Sequence, residues 1–240
     1  MKYVISRFNH DTDWISEYTS DYILYDRSEK PVEGSVIVPN VGSDIMDKLT
    51  FIIDNYNDLP DVAVYTKCNL FKYVSQDEFD LIKDNKTFTP IFTKHSPESM
   101  IEIKVLEDAI ETGATEQEKA LIAEILEASM RGGARVKRFC YYDEDGMYNE
   151  LNTSWYINTH PVFGETRVKQ LERIIELQKL VGIWGKEYLQ FAPGSNYTLP
   201  RENILKHPKE FYEKLKSYLD WGVYPGECMI AERGLLQIWK

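Results

Sequence analysis

Two stretches near the C-terminal end carry side chains that could do chemistry. The first runs Gln190-Phe191-Ala192-Pro193-Gly194-Ser195-Asn196-Tyr197-Thr198-Leu199-Pro200-Arg201. A turn rich in small residues leads into a half-apolar strand that stops at Pro200-Arg201. Gly194 permits a close backbone approach and polar Ser195 and Asn196 follow at once, the composition of a pocket wall. The second runs Pro225-Gly226-Glu227-Cys228-Met229-Ile230-Ala231-Glu232-Arg233. Glu227 and Glu232 could each deprotonate a hydroxyl nucleophile or fix an acceptor by hydrogen bonds. Arg233 beside Glu232 could equally make a structural ion pair.

Three further groups lie in the N-terminal third. Arg7-Phe8-Asn9 ends an apolar run and could contact a nucleotide, or its aromatic could simply pack in the core. Asn40-Val41-Gly42-Ser43-Asp44 sits where a loop passes into a helix. The N-terminus of a helix favours an anion such as a diphosphate, while Asn40 or Ser43 could act merely as a cap. Thr66-Lys67-Cys68-Asn69 ends another apolar run, so Lys67 and Asn69 face either a ligand crevice or a surface turn. No Asp-x-Asp pair occurs there to hold a divalent ion. His10, His95, His160 and His207 lack metal-ligand spacing and read as ordinary histidines.

These groups need elements to position them. Tyr3–Phe8, Tyr22–Tyr25, Val36–Val38 and Val62–Thr66 have strand composition. Short helical patterns at Trp14–Tyr18 and from Ile45 to Tyr56 separate them. The resulting β-α-β-α-β order predicts a largely parallel sheet, whose ligands bind at the carboxyl ends of its strands. Asp26 and Arg27 join the candidates at that edge. Ser75 with Glu78, and Thr115 with Glu118, form capping-box signals. Further helices are expected over 165–181 and Phe211–Leu219, with Pro208 in a first turn. A strand is expected near Trp155-Tyr156-Ile157.

Length and composition narrow the function. The chain has 240 residues, 43% hydrophobic, enough for one large α/β domain or a domain with an inserted subdomain. Its formal net charge of −11 opposes nonspecific nucleic-acid binding, which draws on phosphate neutralisation. Arg131, Arg135, Lys137 and Arg138 form the densest basic cluster. Three widely spaced cysteines suggest neither a disulfide framework nor a zinc site. The opening residues read as a core strand rather than a leader, and a cytoplasmic setting is expected.

The order Arg7-Phe8-Asn9, Trp14, Pro39-Asn40-Val41-Gly42, Tyr56-x-x-Leu59-Pro60-Asp61, Pro193-Gly194-Ser195-Asn196, Pro200-Arg201, Pro208-Lys209-Glu210-Phe211-Tyr212 and Ala231-Glu232-Arg233 resembles a domain-of-unknown-function family of bacteria, fungi and viruses. That family is similar to nucleotide-sugar glycosyltransferases of the GT-A fold. The resemblance spans residues 1–75 and 185–240, leaving 85–160 as an expected helical or loop insertion within one domain covering 1–240. It implies a Rossmann-like sheet that binds a nucleotide-sugar, with a UDP-sugar the expected donor. Arg7, Asn9, Asn40, Gly42, Asp44, Lys67 and Asn69 would hold the donor. Gly194, Ser195, Asn196, Arg201 and Arg233 would border the acceptor, and Glu232, or secondarily Glu227, would be the base. Lys67 would then neutralise the diphosphate where the family's relatives use Asp-x-Asp and a metal, and the metal requirement stays open. The acceptor stays open too, with a hydroxymethyl pyrimidine in viral DNA as one form. The rival is a non-catalytic binding protein on a degenerate transferase fold.

Overall fold

A computed structural model describes residues 1–94, 140–152, 157 and 159–240. The expected helix after Thr115, the basic cluster Arg131–Arg138 and the Trp155-Tyr156 part of an expected strand lie outside the described residues. The chain divides into two compact units. One comprises Met1–Thr93, Tyr156–Gly185 and Phe191–Lys240, the other Lys94–Trp155 and Lys186–Gln190.

The larger unit is α/β. Four strands run parallel: β1 (Lys2–Arg7), β2 (Tyr22–Asp26), β3 (Val36–Ile37) and β4 (Val62–Lys67). Val4, Ile5, Val64 and Tyr65 are 1% exposed or less, as expected of central parallel strands covered on both faces. Helix α1 (Ile15–Tyr18) links β1 to β2, and α2 (Ser43–Asp54) links β3 to β4. After the 3₁₀ turn Leu70–Lys72 comes α3 (Gln76–Ile82), opened by the full Ser75–Glu78 capping box. The strand β5 (Thr89–Pro90) follows. The segment after the Pro193-Gly194 turn forms β9 (Tyr197–Pro200), which inserts antiparallel between β4 and β5. The six-stranded mixed sheet is therefore ordered β3-β2-β1-β4-β9-β5 and is mostly parallel.

Helices α4 (Arg167–Leu180), α5 (Arg201–Ile204), α6 (Lys209–Leu219) and α7 (Gly226–Trp239) complete this unit. One core cluster joins Tyr3, Ile5, Leu24 and Val64 of the sheet to Phe79 of α3 and to Ile91, with Trp14, Tyr18 and Phe71 packed against them. Beyond the other face, Tyr65 stacks on Trp239 with ring centroids 6.1 Å apart, and Tyr197 meets Trp239 edge-on at 5.4 Å. Eleven of the 14 residues of α7 are buried, which accounts for its lack of an amphipathic stripe. Gly234 lets α7 pass close to Val181, the C-cap of α4, since a Cβ there would stand 2.4 Å from Val181 Cβ.

The smaller unit contains β6 (Cys140–Tyr142), β7 (Tyr148–Leu151) and, up to Gln190, β8 (Tyr188–Phe191), in the order β6-β7-β8. Strands β6 and β7 form an antiparallel hairpin with Cys140 opposite Glu150. Asp143 fixes its turn by accepting from the backbone N–H groups of Asp145 and Met147, at 3.1 and 2.9 Å. It also accepts from Gln190 Nε2 at 2.6 Å.

Candidate functional site

In an open sheet the strand order reverses where one crossover turns left and the next turns right, and the carboxyl ends splay apart there. Here that point lies between β1 and β4, because β2 and β3 extend to one side and β4 to the other. A cleft of about 320 Å³ opens at this place. Arg7 and Phe8 from the end of β1, and Lys67 and Asn69 from the end of β4, form its walls. Asn40, Ser43 and Asp44 enter from the start of α2, and Tyr224 from the loop before α7.

The cleft is surrounded by ion pairs. Arg7 Nη1 meets Asp26 Oδ2 at 2.8 Å, and Arg27 pairs with Asp47. Asp44 pairs with Lys48 through Oδ2 and with Lys67 through Oδ1, the latter at 3.1 Å. Ser195 Oγ donates to Asp44 Oδ2 at 2.5 Å, and Lys48 Nζ lies 3.2 Å from that hydroxyl. Burial opposes the charge on Asp44, yet the two ammonium groups outweigh it and hold its carboxyl below the usual range. On Lys67 burial is likewise outweighed, and attraction to Asp44 and Glu232 pushes its pKa up. Lys48 goes the other way, because complete burial and repulsion from Lys67 exceed the pull of Asp44. Burial also dominates at Asp47, whose pKa is raised despite Arg27.

A turn from the C-terminal third supports this cluster. Gly194, at φ +86°, lies against Tyr73, whose ring carbons would stand 2.6 Å from any added Cβ. Lys67 Nζ in turn lies 5.1 Å from the centroid of that ring. Gly194 N–H donates to Glu232 Oε1 at 2.9 Å. The N-terminal strands, the 194–195 turn and α7 are thus connected through Asp44, Lys67 and Glu232.

Arg7, Asn40, Asp44, Lys67 and Asn69 line the cleft. Asn9 stands between lining residues Phe8 and His10 with φ +57°, a left-handed conformation that turns the chain away from β1. Gly42, rather than Asn40 or Ser43, occupies the N-cap of α2 at φ +70°. A Cβ there would stand 3.1 Å from the Leu219 carbonyl oxygen, so Gly42 serves packing against the end of α6.

Ser195 and Asn196 are 1% and 0% exposed, and Ser195 reaches the cleft through its hydrogen bond to Asp44. Because β9 runs antiparallel, Pro200 stands opposite Val62 at the amino edge of β4, and Arg201 pairs with Asp61 there at 3.0 Å. Glu227 is fully buried and does not line the cleft; its carboxylate accepts from Arg173 Nε at 2.6 Å and from the Phe163 N–H at 3.2 Å. Arg233 lies 4.8 Å from the Phe191 ring centroid and donates to the Met229 carbonyl. Glu232 does not line the cleft, although its charge acts on Lys67 and Tyr224, which do.

Sequence reasoning missed Lys48, Tyr73 and Tyr224. Lys48 carried a signal in its i,i+4 spacing from Asp44, which usually marks an exposed helical pair. Among the described residues, no three His, Cys, Asp or Glu side chains form a metal-binding group, and no helix is long and apolar enough to cross a membrane.

A family model described as "Protein of unknown function (DUF3431)" matches residues 3–95. The match runs from β1 through β5 and so includes the β1 and β4 walls of the cleft. No curated protein and no solved structure matches the chain.

Proposed function

We propose that this protein is a glycosyltransferase that takes a sugar from a nucleotide-sugar, with a UDP-sugar as its donor. The observation that carries the reading is the cationic cleft at the point where the strand order reverses. It combines Arg7 and Lys67 with aromatic Phe8 and Tyr224, groups suited to a diphosphate and to a planar base. The sheet order supports a GT-A-like assignment, since its parallel part has the β3-β2-β1-β4 arrangement of a nucleotide-binding half.

In this reading Lys67 and Arg7 stabilise the departing diphosphate, doing as fixed charges what a chelated metal does elsewhere. Asp44, itself fixed by the Ser195 hydroxyl, holds Lys67 in place. Glu232 secures the Gly194 turn and keeps Lys67 charged, so it is a positioning residue. Titration calorimetry with UDP and a panel of UDP-sugars, with and without manganese, tests the reading. Binding that falls about tenfold or more in Lys67→Ala is expected, the loss of one charge-assisted hydrogen bond. A flat titration across the whole panel refutes it.

A further inference from the structure

A second groove, of about 450 Å³, adjoins the first. The two cavities share His10 and Asn69 in their linings. Their chemistry differs. Where the first is rich in cations, the second is lined by Asp11, Asp13 and Glu17, with no lysine or arginine among its lining residues. Trp14 and Phe71 add aromatic faces, beside Cys68 and Gln76. The Trp14 ring is held in place, because its Nε1 donates to the Cys68 carbonyl at 2.8 Å and it meets Phe71 edge-on at 5.6 Å. At the shared wall, Asn69 Oδ1 is out of solvent and lacks a hydrogen-bond partner. An unpaired buried carbonyl of this kind is costly until a donor reaches it.

Resting on the glycosyltransferase reading, we propose that this groove binds the acceptor, that the acceptor is an uncharged carbohydrate, and that His10 is its general base. Carboxylates accept hydrogen bonds from sugar hydroxyls, and a fixed indole suits the apolar face of a pyranose. A nucleic-acid acceptor would bring its phosphates against three carboxylates. His10 is the titratable side chain common to the two linings. Its backbone is anchored by Arg7 Nε, which donates to the His10 carbonyl at 2.8 Å. As the acceptor oxygen forms its bond to the anomeric carbon, the hydroxyl proton passes to a nitrogen of His10. The bond from that carbon to the donor phosphate breaks, and its electron pair leaves with the diphosphate.

The experiment uses the full chain and three readouts: UDP binding, binding of maltose, lactose and cellobiose with UDP present, and sugar transfer to them. Failure of UDP to bind overturns the glycosyltransferase reading itself. With UDP bound, Asp13→Asn/Glu17→Gln, at exposed positions, is expected to weaken saccharide binding about tenfold or more while UDP binding is unchanged. His10→Ala is expected to slow transfer about a hundredfold, with partial rescue by added imidazole. Four results overturn the inference while leaving the donor site intact. These are no saccharide binding to the wild type, unaltered saccharide binding in the double variant, no loss of transfer in His10→Ala, and transfer confined to duplex DNA containing hydroxymethylcytosine.

Discussion

Replacing Asp44 by asparagine removes the negative charge that lies between Lys48 and Lys67. The side chains of Lys48, Asp44 and Lys67 are 1%, 10% and 19% exposed, so water compensates poorly for the loss. Breaking such a buried pair costs about 3–5 kcal/mol, because it strands an uncompensated charge. Lys48, already biased towards its neutral form by burial, can shed its proton, which puts the cost near the lower figure. At about 2–4 °C per kcal/mol for a chain of this size, the melting temperature should fall by roughly 6–12 °C.

The pH dependence carries a sign that tests the cause. Asp44 has a depressed folded-state pKa, so its stabilisation is complete above the ordinary carboxylate value of about 3.9 and is lost only as pH falls well below it. In the variant the penalty comes from protonated lysines. Its deficit should therefore shrink as pH rises into the alkaline range. Thermal unfolding followed by circular dichroism at several pH values measures both effects. Adding Lys67→Met to Asp44→Asn should recover part of the loss, with a coupling of about 1–3 kcal/mol. A melting temperature unmoved by Asp44→Asn, or a double variant less stable than the single one, would refute the electrostatic account.

Three other perturbations have definite outcomes. Gly194→Ala should cost about 2–4 kcal/mol in urea unfolding, since it combines a left-handed φ with a clash against Tyr73; a change below about 1 kcal/mol contradicts the packing described. Glu227→Gln should lower stability through Arg173 yet shift UDP affinity by less than about twofold, and a selective loss of binding or turnover would restore Glu227 to the functional site. Cys68 is buried and its thiol is pushed up to about 12, chiefly by desolvation. It should resist Ellman's reagent in the native state at pH 8 and react only on denaturation; rapid native labelling at Cys68 would show that the end of β4 opens.

The N-terminal half of this architecture was legible because its signals are local. Apolar runs alternate with helical spacing through β4, and Ser75–Glu78 marks the start of α3 from both sides of the capping box. The ends of β1 and β4 are visible as the ends of apolar runs, so Arg7, Lys67 and Asn69 can be assigned to the carboxyl edge of the sheet from sequence, while Asp44 is marked by the loop-to-helix junction at Gly42. What stayed hidden depends on long-range contacts. Helix α7 is buried nearly all round, so it shows no polar face by which periodicity could find it. The antiparallel direction of β9 has no mark in its four residues, yet it decides that Ser195 reaches Asp44 and that Arg201 ends at the far edge. The burial of Lys48 is likewise set by α2 packing on its neighbours, which an Asp-x-x-x-Lys spacing does not encode.

The position of β9 bears on how the polypeptide matures. Strand β5 pairs with β9, and β9 also covers the outer edge of β4. Until residues 197–200 emerge from the ribosome, β4 presents open amide and carbonyl groups along one side, and β5 lacks its neighbour. A fragment ending near residue 95, although it holds the whole family-matched segment, should therefore expose an apolar strand edge and self-associate. Constructing a soluble minimal version of this protein requires keeping, or covalently resupplying, the late strand.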